Sequence, residues 1–212
     1  GKKLSVVLPS YNEEQMIEKT AKVVGDILSR EQIPYELVFV NDGSKDHTWD
    51  KILKIKEEDS CIKGICFSRN FGKEAALYAG LQHAKGNYVT VMDVDLQDPP
   101  ELLIEMKKRL DEVVELDCVG TRRVTREGEP PIRSFFARMF YKLINHISQV
   151  EMVDGARDFR LMRRPMVDIL ELSEYNRFSK GIFAWVGFET QYLEYKNVER
   201  GPENILEFLV SL

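Results

Sequence analysis

Short apolar runs alternate with amphipathic stretches along the first half of the chain. The runs are LSVVL at 4–8, YELVFV at 35–40, KGICF at 63–67 and VTVM at 89–92. Near-continuous apolar runs of this length are typical of strands that are buried on both faces, as in parallel sheets. We therefore predict four strands, with Pro9 ending the first of them.

The stretches between these runs have the pattern of surface helices. One extends from about residue 14 to 30, a second covers 46–58, and a third ends near His83. Asn12 and Glu13 precede the first helix and are suited to cap it. Strands and helices thus alternate with short loops, which predicts an α/β fold with a mostly parallel sheet and helices on both faces.

A polar cluster follows each predicted strand. The clusters are Pro9–Glu13, Asn41–Ser44, Ser68–Lys73 and Asp93–Asp98. In an open parallel sheet, ligands bind outside the carboxyl ends of the strands, where the strand order reverses. We therefore expect the four clusters to converge on one crevice.

The fourth cluster carries a pair of carboxylates within MDVDLQDPPE. The alternation of the strand places Asp93, Asp95 and Gln97 on the same face, where the two carboxylates repel unless a proton or a metal ion intervenes. Mg²⁺ or Mn²⁺, bound by one or two carboxylates and by substrate phosphates, satisfies such a pair. An acidic turn at a strand end is the alternative. By the same alternation Asp98 points the other way and is expected to cap the following helix.

Four motifs in this order resemble a known family. PSYNEE, VNDGSKDHT, FSRNFGKEAALYAGL and MDVDLQDPPE are similar to the nucleotide-sugar domain of the family 2 glycosyltransferases. Within that family the chain resembles the polyprenyl-phosphate branch, which includes dolichol-phosphate mannose synthases and bacterial undecaprenyl-phosphate glucosyltransferases. The resemblance covers essentially the whole chain. It implies a Rossmann-like fold of the GT-A type with a C-terminal acceptor-side subregion.

The resemblance implies substrate-binding roles on the donor side of the crevice. Asp42 would accept hydrogen bonds from the nucleobase, while Pro9, Tyr11 and Glu13 would line the base and the ribose. For Tyr11 the alternative is a partly buried aromatic beside a turn. For Glu13 it is an ordinary acid in the first turn of a helix, favoured there by the helix dipole.

The metal-binding set that the resemblance implies is Asp93, Asp95 and Gln97, with the cation bridging the donor diphosphate. A solvent-facing amide is the alternative for Gln97. The loop SRNFGK contributes Arg69 and Lys73 just before a predicted helix. Free N–H groups at the start of a helix attract anions, and by resemblance this loop helps hold the donor.

The segment 120–142 is basic within a chain whose formal net charge is −5. Its cations are Arg122, Arg123, Arg126, Arg133, Arg138 and Lys142. They share the segment with several phenylalanines, a combination that suits a phosphate head with an apolar tail at a membrane surface. There are two alternatives. The charges could belong to a helix face that is exposed to solvent, and the phenylalanines could form an apolar stripe that packs in the core. By resemblance, Arg122, Arg133 and Ser134 receive the lipid phosphate, for which guanidinium groups are geometrically suited.

The sequence VDGARDFRLMRR at 153–164 resembles the family segment that closes the acceptor side. Many related enzymes have a carboxylate general base in this region. Because a phosphate monoester is already anionic near pH 7, we assign Asp158 a positioning role, with a salt bridge to Arg160 or a neighbouring arginine as the alternative. Lys180 stands where the family commonly has an arginine and is expected to contact substrate. The predicted catalytic residues are Asp95, Arg122, Arg133 and Asp158.

The end of the chain departs from the family pattern. After Tyr195 the family commonly has a Gly-x-Ser-Lys-like loop that touches the diphosphate, whereas this chain reads NVERGPENILEFLVSL. The Ser-Lys pair is missing, and whether Arg200 replaces it is open. Close relatives also carry two or more transmembrane helices, and no window here approaches the roughly 20 apolar residues of a span. We expect either part of a longer, membrane-anchored protein or a member that only lies on the membrane.

Composition agrees with one folded domain. Of 212 residues, 43% are hydrophobic, enough for a single core. Residues 1–118 would form the nucleotide-sugar half and 119–212 the acceptor-side half. Three cysteines, in or beside predicted strands, suggest reduced, buried thiols and a cytosolic face. Scattered histidines make zinc improbable, no feature indicates nucleic acid, and self-association is left open.

These features predict metal-dependent, inverting transfer of a sugar from a uridine- or guanosine-linked nucleoside diphosphate to a polyprenyl phosphate at the cytoplasmic face of the membrane. The lipid phosphate would attack the anomeric carbon in line, while the metal takes up charge on the leaving diphosphate. One alternative is a family 2 enzyme with a hydroxyl acceptor on a polysaccharide or a protein. Another is a non-catalytic domain that binds nucleotide sugar or membrane. The identity of the sugar is left open.

Overall fold

The computed structural model describes residues 1–123, 156–172 and 189–195 of the chain. Within these ranges the strands are β1 (Leu4–Ser10), β2 (Tyr35–Asn41), β3 (Ile62–Cys66), β4 (Tyr88–Val91), β5 (Cys118–Arg123), β6 (Ala156–Arg163) and β7 (Thr190–Tyr195). The helices are α1 (Ile17–Arg30), α2 (Thr48–Glu58), α3 (Lys73–His83), α4 (Leu102–Glu112) and α5 (Arg164–Leu172).

One sheet contains all of these strands, in the order β3-β2-β1-β4-β6-β5-β7. Among the strands β1 to β4, every hydrogen-bonded pair is parallel. In contrast, β6 is antiparallel to both β4 and β5, and β7 is parallel to β5. The chain first builds outward from β1 to β3 and then returns to add β4 on the other side of β1. The strand order therefore reverses between β1 and β4, and their carboxyl ends flank the reversal point.

Helices cover both faces of the sheet, each over its own core. Helices α1, α2 and α4 pack on the face that contains Phe39 and Leu161, whereas α3 and α5 pack on the face that contains Val7 and Met162. Gly80 of α3 lies so close to β1 that a Cβ there would stand 2.2 Å from Cγ1 of Val7. Burial of the central strands on both faces explains their continuous apolar runs. The predicted α/β architecture is confirmed.

The predicted end of the first strand is wrong. Pro9 lies inside β1, paired with Val40, and the strand continues to Ser10. The pairing of β1 with β4 ends earlier, at Val7 and Val91. A proline is tolerated here because β1 has already lost one neighbour, and a missing N–H costs least at such an edge.

One predicted helix cap is also wrong. Helix α1 begins at Ile17, so Asn12 and Glu13 precede it by a full turn. Helix α4 begins at Leu102, and the capping role of Asp98 stays a prediction. A short turn precedes each of these helices. The hydrophobic pattern does not show these turns, because it marks a helix only from its first buried residue.

A buried carboxylate organises the amino ends of the strands, opposite the reversal point. Oε1 of Glu36 accepts hydrogen bonds from the hydroxyl of Ser5 (2.7 Å) and from the N–H of Lys85 (2.6 Å). Oε2 lies 2.6 Å from Nζ of Lys63 and 3.5 Å from Nζ of Lys3. Burial alone would raise the pKa of Glu36, but these partners, with Lys63 foremost, outweigh it and lower the pKa to about 2.

The prediction of buried cysteines is confirmed only at Cys118. All three thiols are free, but Cys61 is half-buried and Cys66 is exposed. Cys66 is the last residue of β3, an edge strand, where the sheet leaves one side uncovered.

The helices of the described ranges are short. The longest, α1, has 14 residues, against the roughly 20 that a bilayer span requires. None of them combines the length and apolar composition of a transmembrane helix.

Candidate functional site

The loops that follow β1 and β2 are hydrogen-bonded to each other. The N–H of Asn12 donates to Oγ of Ser44 (2.9 Å), and its side-chain oxygen accepts from the N–H of Lys45 (2.8 Å). The N–H of Glu13 donates to the hydroxyl of Thr48 (2.9 Å). Glu13, one of the predicted base-side residues, is thus tied to the start of α2. Sequence reasoning missed Ser44 and Thr48 as partners, although hydroxyls in a loop after a strand commonly bond to backbone groups.

Asp42, at the end of β2, holds a third loop. Its carboxylate is buried, and Oδ1 accepts from the N–H of Phe71 (2.7 Å) while Oδ2 accepts from the N–H of Gly72 (3.1 Å). Gly72 is the N-cap residue of α3. The anion at the amino end of this helix is therefore the chain's own aspartate. A carboxylate has acceptor sites for further donors, and the nucleobase contact of Asp42 stays a prediction.

Gly43 allows the SRNFG loop, residues 68–72, to approach the end of β2. It has φ +65°, and a Cβ there would stand 2.1 Å from the carbonyl carbon of Arg69 and 2.3 Å from the nitrogen of Asn70. No other residue fits both the left-handed backbone and the contact. The SRNFG loop is consequently docked on the end of β2.

Replacing Gly43 with alanine should lower the free energy of unfolding by about 2 kcal/mol. About half of this loss is the cost of placing alanine in a left-handed backbone conformation, and about half is the cost of displacing the backbone of residues 69–70. Gly72 provides a matched control, since it has φ +103° and a Cβ added there would meet nothing within 4 Å. Gly72→Ala should therefore lose stability through backbone strain alone. Urea denaturation measures both losses, and a loss in Gly43→Ala of no more than about 1 kcal/mol, the cost of a left-handed alanine by itself, would show that the contact contributes nothing.

The acidic residues after β4 lie on a turn. Strand β4 ends at Val91, and the N–H of Leu96 donates to the carbonyl oxygen of Asp93 (3.3 Å), with Leu96 itself at φ +59°. The expectation that Asp93, Asp95 and Gln97 share one face of a strand is therefore wrong. A turn, and not the alternation of a strand, orients these side chains.

Side chains from several elements nevertheless converge here. Burial raises the pKa of Glu13, and the negative charges of Asp95, Asp46 and Asp93 raise it further. Nζ of Lys73, the first residue of α3, lies 2.8 Å from Oδ1 of Asp93. The loops after β1, β2 and β4 and the start of α3 thus share one electrostatic environment at the reversal point, as the polar clusters predicted.

The residues of this environment fit a hard divalent cation by their chemistry. Asp93, Asp95 and Gln97 carry the oxygen donors that Mg²⁺ and Mn²⁺ prefer, and a cation would relieve the repulsion felt by Glu13. Across residues 1–123, 156–172 and 189–195, no group of three or more His, Cys, Asp and Glu side chains is arranged as a metal site. The three-residue metal set stays a prediction.

An aromatic pair lines the rim beside this site. The guanidinium carbon of Arg69 lies 4.4 Å from the ring centroid of Phe71, and the ring of Phe71 meets that of Phe67 edge-on at 5.7 Å. Phe71 is half exposed. Stacking of this kind restricts the guanidinium group, so Arg69 is held at the rim, while its predicted contact with the donor stays a prediction. Sequence reasoning missed Phe71, whose signal was an aromatic residue isolated in a polar loop.

On the acceptor side, the structure places part of the predicted set. Arg122 pairs with Glu194 across β5 and β7, with Nη2 of the arginine 3.0 Å from Oε1 of the glutamate. Asp158 belongs to β6, but its side chain is outside the described part of the molecule. Arg133, Ser134 and Lys180 also lie outside the described residues. Their roles stay predictions.

Asp98 links the turn after β4 to this side of the sheet. It is buried, and its Oδ1 lies 3.5 Å from the hydroxyl of Tyr195 at the end of β7. This contact joins the turn after β4 to the end of β7 inside the protein.

Comparison with known proteins identifies relatives of the whole chain. The family model described as glycosyl transferase family 2 matches residues 5–170. A putative glycosyltransferase, CsbB of Bacillus subtilis, is 44% identical over 202 residues, which are 93% of this chain and 59% of that protein. The bactoprenol glucosyl transferase of Shigella phage SfV is 40% identical over 199 residues, or 93% of this chain and 64% of that protein. The chain thus spans about three fifths of the length of these curated relatives.

Solved structures share the fold at lower sequence identity. A mannosyltransferase from Pyrobaculum calidifontis, in complex with GDP-Man and Mn²⁺, superposes with a TM-score of 0.60 at 18% identity, covering 94% of this chain and 58% of that one. Mannosyl-3-phosphoglycerate synthase from Rubrobacter xylanophilus gives a TM-score of 0.63 at 16% identity, covering 95% and 68%.

Proposed function

Because the chain belongs to glycosyltransferase family 2 and has its GT-A fold, we propose that it transfers a hexose from a nucleoside-diphosphate sugar to a polyprenyl phosphate at the cytoplasmic face of a membrane. The observation that carries the proposal is the convergence of Glu13, Asp93, Asp95 and Lys73 where the strand order reverses. Acidic and basic groups at that position suit a diphosphate and its counter-ion. The similarity to bactoprenol glucosyl transferases supports the lipid acceptor and favours glucose as the sugar.

On the donor side, the base and ribose would lie against Pro9, Tyr11 and Glu13, within reach of Asp42. Asp93, Asp95 and Gln97 would hold a divalent cation, which supplies positive charge to the diphosphate leaving group. Arg69, already oriented on Phe71, would add a guanidinium group at the rim. These residues bind and orient the donor so that its anomeric carbon faces the acceptor side of the crevice.

On the acceptor side, Arg122, Arg133 and Ser134 would receive the lipid phosphate, and Lys180 would add positive charge. Arg122 would then exchange Glu194 for the phosphate, since both are oxyanions. Asp158 would position a neighbouring cation and would not act as a base, because a phosphate monoester is already ionised.

The chemical step needs no protein nucleophile. A phosphate oxygen of the acceptor forms a bond to the anomeric carbon while the bond from that carbon to the diphosphate oxygen breaks. The products are a glycosyl phosphodiester and a nucleoside diphosphate, and the negative charge lost by the attacking oxygen appears on the leaving group. Attack from the face opposite the leaving group inverts the anomeric configuration.

Transfer of radiolabel tests this proposal. The chain would be incubated with Mn²⁺, undecaprenyl phosphate and labelled UDP-glucose or GDP-mannose, and the product extracted into chloroform. Label in a lipid product that releases its sugar in mild acid is the expected result. Label found only on a hydroxyl acceptor would instead support a polysaccharide- or protein-directed enzyme, and nucleotide binding without transfer to any acceptor would support a binding domain.

A further inference from the structure

Lys73 contacts one of the two carboxylates after β4. Its Nζ lies 2.8 Å from Oδ1 of Asp93, although the lysine side chain is 68% exposed and the aspartate 38% exposed. An exposed lysine is normally free to sample solvent, because a surface ion pair is weak and holding a long side chain costs entropy. A specific location for this ammonium group therefore needs an explanation from its surroundings.

The backbone just before Lys73 is fixed at two points. The buried carboxylate of Asp42 accepts the N–H groups of Phe71 and Gly72, the two residues that precede Lys73. Gly43 admits the backbone of residues 69–70 at a distance that would exclude any Cβ. The end of β2 thus determines where α3 begins, and with it the point from which the lysine side chain extends.

The position reached by Lys73 is electronegative. Burial raises the pKa of Glu13, and the negative charges of Asp95, Asp46 and Asp93 raise it further. With no cation present, these like charges disfavour the ionised form of Glu13. The ammonium group of Lys73 supplies a positive charge from within the chain, and its four-carbon stem lets it move without any change in the backbone.

We infer that Lys73 is an internal counter-ion, which neutralises Asp93 in the donor-free protein and transfers to the donor diphosphate when a divalent cation takes its place. This inference rests on the proposed function, because it names the ligand that receives the lysine. An ammonium group and a divalent cation cannot share one carboxylate oxygen at close range without repulsion. The diphosphate of the donor offers the displaced lysine several new oxygen acceptors at the same edge of the sheet.

Lys73 therefore has opposite effects on two ligands. It competes with a metal ion that arrives alone, and it assists a metal ion that arrives with a diphosphate. Binding of metal and of nucleotide should be coupled in both directions through this one side chain. A lysine that only supports the fold would not produce effects of opposite sign. A lysine that only raises the local positive potential would produce them too, but so would another exposed cation on the neighbouring loop, whereas only Lys73 contacts Asp93.

Titration of Mn²⁺ alone, followed by the electron paramagnetic resonance signal of the free ion, tests the competition. Lys73→Gln should bind Mn²⁺ about two- to fivefold more tightly than the wild type, the range expected for loss of an exposed ion pair. The same variant should bind UDP, or GDP if UDP does not bind, about tenfold or more weakly in saturating Mn²⁺, as expected for loss of a charged partner. Lys73→Arg keeps the charge and should restore both values toward the wild type.

Lys45→Gln is the matched control, because Lys45 is an exposed cation on the neighbouring loop after β2 and its N–H donates to Asn12. It should leave the affinity for Mn²⁺ unchanged. An equal gain in Lys45→Gln, or no gain in Lys73→Gln, would overturn the inference. The measurement is independent of sugar transfer: an active enzyme whose Mn²⁺ affinity is insensitive to Lys73 contradicts only the inference, and an inactive chain with the predicted affinities contradicts only the proposed function.

Discussion

Replacing Asp95 with alanine should remove most sugar transfer while leaving the fold intact. We expect kcat/KM to fall by about 10²–10³, the loss typical when a group that stabilises developing charge is deleted. Asp95 is exposed, and its Oδ1 accepts a long hydrogen bond, 3.3 Å, from the N–H of Gln97. Its charge nevertheless raises the pKa of Glu13, so its carboxylate acts on the crevice. Transfer of radiolabel and calorimetric titration of the nucleotide, with and without chelator, measure the effect.

Two further variants separate charge from structure. Asp95→Asn keeps the size of the side chain but removes its charge, and should lose as much activity as the alanine variant. Asp50→Ala removes a carboxylate that pairs with His47 on the exposed start of α2, and should retain activity. If the wild type binds nucleotide equally well in Mn²⁺ and in chelator, the metal hypothesis is wrong.

Replacing Glu36 with glutamine should destabilise the fold by about 3 kcal/mol at neutral pH, the equivalent of lowering a pKa from 4.5 to about 2. Because the pKa is lower in the folded state, this contribution is fully present above pH 4.5 and is lost as the pH falls toward 2. The wild type should therefore lose stability across that interval. Glu36→Gln should start lower and show a flatter profile there. Urea denaturation at a series of pH values gives both curves.

Glu18 is the natural comparison for Glu36. It also lies near two lysines, Lys51 at 3.5 Å and Lys54 at 3.2 Å, but at the protein surface. Glu18→Gln should leave the free energy of unfolding nearly unchanged, since solvent screens exposed pairs. Equal losses in the two variants would mean that burial of the Glu36 network is not the source of its stabilisation.

The alternating pattern predicted the first half of the fold because its strands are buried on both faces. The same pattern misled at β4. Met92 and Val94 continue the apolar alternation beyond Val91 and are both buried, yet β4 ends at Val91 and Val94 belongs to a turn. The hydroxyl of Thr20 in α1 donates to the carbonyl oxygen of Val94 and holds that turn. Because this contact joins residues that are 74 positions apart, it cannot be predicted from the local pattern of apolar and polar residues.

Prediction of the candidate site from the sequence was limited in the same way. Motif resemblance pointed to Asp42, Asp93 and Lys73 as functional residues, but it could not reveal how they are arranged. Asp42 binds backbone N–H groups 29 and 30 residues away, and nearly every residue has such a group whatever its side chain. The pairing of Lys73 with Asp93 likewise depends on how α3 is docked. Residue types were predictable, whereas the contacts required the tertiary structure.

Because β6 runs against its neighbours, β5 ends and β6 begins at the edge of the sheet that carries Asp93. The register pairs Arg122 with Ala156 at that edge. Arg123, the last residue of β5, and Ala156, the first of β6, therefore lie at the same edge as the candidate donor site. A strand that is inserted against the direction of its neighbours thus returns the chain to the edge at which ligands bind in such sheets.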